Sequence, residues 1–149
     1  MKPLLVLVMS FVTAVFAIRL NQSDYDFYLA ARIAMSMMLL FTALGHFMYT
    51  KGMTMMIPRP IPFKLFLVYF TGVMEIIMAV TLLIPRLTVF TGWIIMLFLM
   101  LLLPANIYAA MNQVDYQKGT FKGDGIKYLW FRVPLQLFFI MWVYFSSIL

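Results

Sequence analysis

The chain has 149 residues and a formal net charge of +6, with 65% hydrophobic and only 11% charged residues. A soluble domain is nearer half apolar, so we expect the excess apolar side chains to face lipid. With no cysteine and a single histidine, the chain itself cannot form disulfides, thiolate metal sites, iron–sulfur clusters or a bis-histidine haem. The basic residues lie in short loops between apolar runs, which favours a membrane protein over a nucleic-acid-binding one.

Five apolar runs predict five membrane-spanning helices. They cover roughly residues 3–20, 28–50, 64–84, 87–111 and 128–148, and each is near the ~20 residues that cross a bilayer core. No alternating strand pattern repeats, and lipid admits only helices or closed barrels. The predicted fold class is therefore an all-α integral membrane bundle.

The first run admits two interpretations. The sequence "VFA", ending at Ala17, fits a signal-peptide cleavage site after a lysine and an apolar core. However, the apolar stretch is long for a signal peptide. It also carries a stripe of small residues suited to helix packing, namely Ser10, Thr13, Ala14 and Ala17. We favour a retained first span over a cleaved signal peptide.

The charges predict an orientation in the membrane. With five spans, the N-terminus and the second and fourth loops lie on one side, which then holds Lys2, Lys51, Arg59, Lys64, Lys118, Lys122, Lys127 and Arg132. The other side holds Arg19, Arg32 and Arg86. Because cytoplasmic loops are enriched in lysine and arginine, the N-terminus is predicted in the cytoplasm and the C-terminus outside. The predicted localisation is therefore the cytoplasmic membrane.

Two of the connections have a distinct composition. The segment "MIPRPIPF", residues 56–63, has three prolines at alternate positions. Proline fixes its own backbone and restricts the residue before it, so this segment is predicted to be extended and stiff. Residues 112–127 are polar and contain glycine, and they are predicted to form a solvated loop.

Each of the last four spans has one stripe of small and polar residues at helical spacing, and its other faces are apolar. These stripes are predicted to face a common interior. Their members are Arg32, Ser36, Ala43 and His46; Val68, Thr71, Gly72, Glu75 and Ala79; Thr88, Gly92 and Asn106; and Arg132, Gln136 and Ser146.

Glu75 is the most informative polar residue, because it lies near the middle of its span. A charge there costs roughly 2.5–3.5 kcal/mol on insertion scales for Asp, Lys or Arg, so the carboxyl group needs a partner or a proton. We expect Arg132 to be its chief partner. A structural ion pair, a proton-carrying carboxyl group and a ligand site are alternative interpretations. The candidate pocket residues are Glu75, His46, Arg132, Asn106, Gln136 and Tyr69; no catalytic residue and no metal ligand is assigned.

Several of these residues also have a purely structural interpretation. His46 is close to the end of its run, where an interfacial hydrogen-bonding role is common. Asn106 follows Pro104, which has no N–H to offer the carbonyl of Met100. Asn106 either repairs that break or lines a cavity that the break shapes. Arg32 is expected to extend outward toward the interface.

The order and spacing of several segments resemble those of DoxX-like membrane proteins. The segments are "ALGHF", "MIPRPIP", "VYFTGVMEI", "LIPR", "LPANIYAA" and "YLWFRVPLQLFFIMW", and the resemblance covers about residues 28–145. The resemblance implies a four-helix membrane domain over residues 28–149. Residues 1–27 then add an N-terminal transmembrane helix and a short external loop.

The resemblance also implies a class of function. The members that give the family its name are membrane subunits of a thiosulfate- and quinol-linked oxidase system, and others are partners in redox complexes or assembly factors. The leading hypothesis is an accessory membrane subunit whose polar intramembrane pocket binds quinone or another lipophilic molecule, next to a partner redox protein. The alternatives are a non-catalytic assembly or chaperone-like protein and a proton-coupled transporter. No cofactor is evident in the chain, and whether a reaction is catalysed stays open.

Overall fold

Helices make up most of the computed structural model, which describes residues 2–149. In chain order they are α1 (Lys2–Gln22), α2 (Phe27–Met48), α3 (Thr50–Met56), α4 (Lys64–Leu82), α5 (Thr88–Met111) and α6 (Leu129–Val143). A 3₁₀ turn, Gly125–Tyr128, precedes α6, and a π-helical turn, Tyr144–Ile148, follows it. No strand occurs within residues 2–149, where only one isolated bridge joins Asp115 to Thr120.

Five helical segments are long and apolar enough to cross a membrane. They are α1, α2, α4, α5 and the segment Gly125–Ile148, which contains α6. Large apolar side chains such as Phe16, Phe66 and Leu101 are exposed on their outer faces, as expected of a bundle surrounded by lipid. The prediction of an all-helical bundle with five candidate spans is confirmed.

Helix boundaries differ from the predicted runs mainly after the second span. There α2 ends at Met48, and a separate short helix, α3, follows it. The hydroxyl of Thr50 donates to the carbonyl of His46 at 2.8 Å, which ties the start of α3 to the end of α2. The proline-bearing residues 57–63 lie outside all helices, and Phe63 there has a left-handed backbone (φ 55°).

The core is shared by all five long helices. Its fully buried large side chains include Leu7, Met35, Leu82, Ile95 and Val143. Because Leu7 belongs to the first helix, α1 forms an integral part of the core. The buried face of α1 is Leu7, Ala14 and Ile18, so only Ala14 of the predicted small-residue stripe is fully buried.

The predicted stripes on the last four spans all turn inward. Of their members, Arg32, His46, Thr71, Asn106 and Arg132 are half-buried, and the others are buried. Helical periodicity therefore identified the inner face of each of these spans correctly.

The two ends of the bundle are closed by different contacts. At the α3 end, α3 packs against the loop between α5 and α6, where the rings of Tyr49 and Tyr116 meet edge to face at 5.9 Å. At the opposite end, Arg32 of α2 contacts the π-helical turn. Its Nε donates to the carbonyl of Ser146 at 2.7 Å, so a guanidinium binds the carboxyl end of the last helix.

We predict that Gly52→Ala destabilises the fold, because a Cβ at position 52 would overlap the backbone carbonyl of Tyr116. Backbone atoms cannot move away as a flexible side chain can, and overpacking of this kind costs about 1–3 kcal/mol. Thermal unfolding in detergent measures the loss.

The matched control is Gly45→Ala, where the nearest atom to a new Cβ is the flexible Cε of Met53 at 3.3 Å. Its melting temperature should equal or exceed that of the wild type, since alanine favours helix. Equal melting temperatures for the two variants would contradict the close α3–loop contact.

Candidate functional site

A cavity of about 430 Å³ lies among the helices toward the α3 end. All the long helices contribute to its wall, together with α3, the proline-bearing segment and Tyr116 of the loop before α6. Five of the six predicted pocket residues line it: His46, Glu75, Asn106, Arg132 and Gln136. Its volume is within the ~300–1,000 Å³ range of small-molecule sites.

Glu75 projects from α4 and is only 4% exposed. The Thr42 hydroxyl donates to its Oε2 at 3.0 Å, and Nε2 of His46 lies 3.5 Å from its Oε1. Both partners belong to α2. The side chains that contact the Glu75 carboxyl group are therefore Thr42 and His46, whereas Arg132, the expected partner, donates to Asn106.

Gly72 makes this pairing sterically feasible. It lies one turn before Glu75 on α4, and a Cβ at its position would be 2.9 Å from Cβ of His46. The absence of a side chain lets α2 approach α4 closely enough for the imidazole to reach the carboxyl group. Ala43 and Ala79 are also buried, and their small side chains keep the rest of the interface between α2 and α4 narrow.

The other imidazole nitrogen is held from two directions. Nδ1 of His46 lies 3.0 Å from the carbonyl oxygen of Val68 and 3.1 Å from Oγ1 of Thr71. A carbonyl oxygen only accepts hydrogen bonds, and the Thr71 hydroxyl donates to the carbonyl of Leu67 at 2.8 Å. Nδ1 is therefore the hydrogen-bearing nitrogen, and Nε2 faces Glu75.

The character of the Glu75–His46 contact depends on its protonation. With Nδ1 already a donor, the contact between Nε2 and Oε1 is attractive when a single proton lies on one of the two atoms. The two forms are a carboxyl group facing a neutral imidazole and a carboxylate facing an imidazolium. Both have zero net charge, so a proton can move across the pair without leaving a buried net charge.

A second wall of the cavity carries a directional chain of hydrogen bonds. Nη1 of Arg132 donates to Oδ1 of Asn106 at 3.2 Å, and Nδ2 of Asn106 donates to Oε1 of Gln136 at 3.2 Å. Nε2 of Gln136 in turn donates to the carbonyl of Leu99. The guanidinium thus fixes the orientation of both amides, and Asn106 binds side chains of α6. This agrees with the cavity-lining interpretation of Asn106.

Tyr69 is the one predicted pocket residue that the structure places elsewhere. It is 42% exposed and outside the cavity lining, and its ring lies against Phe47 at 5.7 Å. Thr42, Thr71 and Tyr116 line the cavity but were not among the predicted pocket residues. Thr42 could have been found, because it lies one turn before His46 on the same face of α2.

The described residues contain no group of three or more His, Cys, Asp or Glu side chains that could hold a metal ion. The cavity instead offers hydrogen-bonding groups on two walls. Fold and site together define an all-helical protein of the multi-pass membrane type with a buried polar cavity.

Comparison with known proteins gives a family but no characterised relative. A family model described as a domain of unknown function (DUF8561) matches residues 35–147, and the chain belongs to that family. The matched segment contains His46, Glu75, Asn106, Arg132 and Gln136. No curated protein and no solved structure matches the chain.

We predict that Nδ1 of His46 carries hydrogen in the folded protein, whichever form the pair adopts. His46 is the only histidine in the chain and Glu75 the only glutamate, so labelling with ¹⁵N-histidine or ¹³C-glutamate reports on one side chain each. Nuclear magnetic resonance of the detergent-solubilised protein should show a protonated Nδ1. Glu75→Gln should alter the Nε2 signal and leave Nδ1 protonated. A hydrogen on Nε2 with a bare Nδ1 would contradict the geometry.

Proposed function

We propose that this chain is a small DoxX-like membrane protein that binds a lipophilic, hydrogen-bonding molecule of the quinone class in its intramembrane cavity. In this proposal it serves as an accessory subunit of a membrane redox system. Electron transfer is assigned to a partner membrane protein, since the chain has no cysteine and a single histidine.

The observation that carries the proposal is the pairing of two unlike polar walls inside an apolar bundle. On one wall, Nε2 of His46 lies 3.5 Å from Oε1 of Glu75. On the other, Arg132 supplies a permanent positive charge, and its guanidinium orients Asn106. A ring with oxygen atoms at opposite edges could place one oxygen at each wall, and its flat faces would contact apolar lining residues such as Leu39 and Phe139.

The proposal includes an orientation and a compartment. The α3 end holds most of the lysines and arginines, and the exposed ones include Lys51, Arg59, Lys118 and Lys122. Such enrichment is typical of the cytoplasmic side. We therefore assign the N-terminus to the cytoplasm of a bacterial-type inner membrane, with the C-terminus outside, so that the cavity lies in the cytoplasmic half.

The proposal predicts that decylubiquinone stabilises the purified protein. Saturating ligand at ~100 times its dissociation constant adds about 2.7 kcal/mol to the free energy of unfolding, which raises the melting temperature by several degrees. Glu75→Gln should weaken binding about tenfold, because a hydrogen bond to a charged group is lost. Tyr69→Phe, which changes an exposed residue outside the cavity, should bind like the wild type.

The proposal fails if the purified protein carries no quinone and decylubiquinone leaves its thermal unfolding unchanged at every concentration. A cellular assay separates the assembly-factor alternative. That alternative predicts that Glu75→Gln preserves function in cells as long as the bundle folds.

A further inference from the structure

The exposed and the buried lining residues of the cavity differ in polarity. Its polar lining residues are all buried or half-buried, and Glu75 and Gln136 are only 4% and 7% exposed. The lining residues that are exposed are Ile61, Leu101 and Pro104. All three are apolar, so the exposed part of the lining is apolar, whereas the polar lining residues are buried or half-buried.

The position of these exposed residues places the opening on the side of the bundle. Leu101, which is 68% exposed, lies ten residues before the end of α5 at Met111. At 1.5 Å per residue this is roughly 15 Å along the helix axis, well inside a span of about 30 Å. Ile61 belongs to the proline-bearing segment. The opening therefore lies between α5 and that segment and faces lipid.

We infer that the ligand is a membrane amphiphile whose polar head lies between Glu75 and Arg132 and whose apolar tail leaves through this lateral opening. The inference rests on the proposed function and adds the shape of the ligand and its route. A water-soluble ligand would have to cross an apolar mouth that faces lipid. An amphiphile matches both parts of the cavity lining. Its polar head can bind the polar side chains, and its tail remains in contact with apolar side chains and acyl chains.

The chain contains no cysteine, so the opening can be blocked at a single chosen position. Leu101→Cys, modified with a bulky maleimide, places an obstacle at the mouth. Leu97→Cys, modified in the same way, is the matched control. Leu97 lies one turn earlier on α5, is 57% exposed and does not line the cavity.

Two probes separate the head from the tail: 2,3-dimethoxy-5-methyl-1,4-benzoquinone, which has no tail, and its decyl homologue. Affinities are measured by titration of the purified full chain in detergent, after circular dichroism has verified that each labelled variant is folded. We expect the decyl probe to bind about tenfold more tightly, since buried methylene groups add affinity. The labelled Leu101→Cys variant should lose the tenfold preference for the decyl probe, and the labelled Leu97→Cys variant should retain that preference within twofold.

The outcomes distinguish this inference from the proposed function. If both probes bind with equal affinity and the label at position 101 has no effect, the inference is overturned and head-group binding stands. If the labels at positions 97 and 101 weaken the decyl probe equally, the lateral route is also overturned. If neither probe binds the unmodified protein, the proposed function fails, and this inference fails with it.

Discussion

The buried carboxyl group of Glu75 is the constraint on which the rest of the arrangement depends. An uncompensated charge in the middle of a membrane span is costly, so partners must come from a neighbouring helix. Here both partners, Thr42 and His46, come from α2. They reach Glu75 because Gly72 lets the two helices approach closely. The close packing of α2 on α4 and the chemistry of the site are thus two consequences of one contact.

The same contact leaves room for the cavity. While α2 holds Glu75, Arg132 donates to Asn106, which in turn donates to Gln136 on the second wall. Each wall is internally hydrogen-bonded, so neither needs to close onto the other to satisfy its polar groups. A polar space can therefore persist inside an apolar bundle.

The two walls also differ in charge. Arg132 keeps its positive charge under all physiological conditions, whereas the contact between Nε2 of His46 and Oε1 of Glu75 is an ion pair only when the imidazole is protonated. The same cavity is also lined by exposed apolar residues such as Leu101.

The sequence by itself determined the five spans and the inner face of each of the last four, because hydrophobicity and helical periodicity are local properties. It also placed most of the pocket residues correctly, since a polar group inside a span must turn inward. Only the tertiary structure decided that Glu75 pairs with His46 instead of Arg132, that Tyr69 lies outside and that α3 is a separate helix. A stripe defines which face of a helix turns inward, but not how far two helices approach or which residues meet at the same depth. Those choices depend on contacts between distant segments, such as Gly72 against His46.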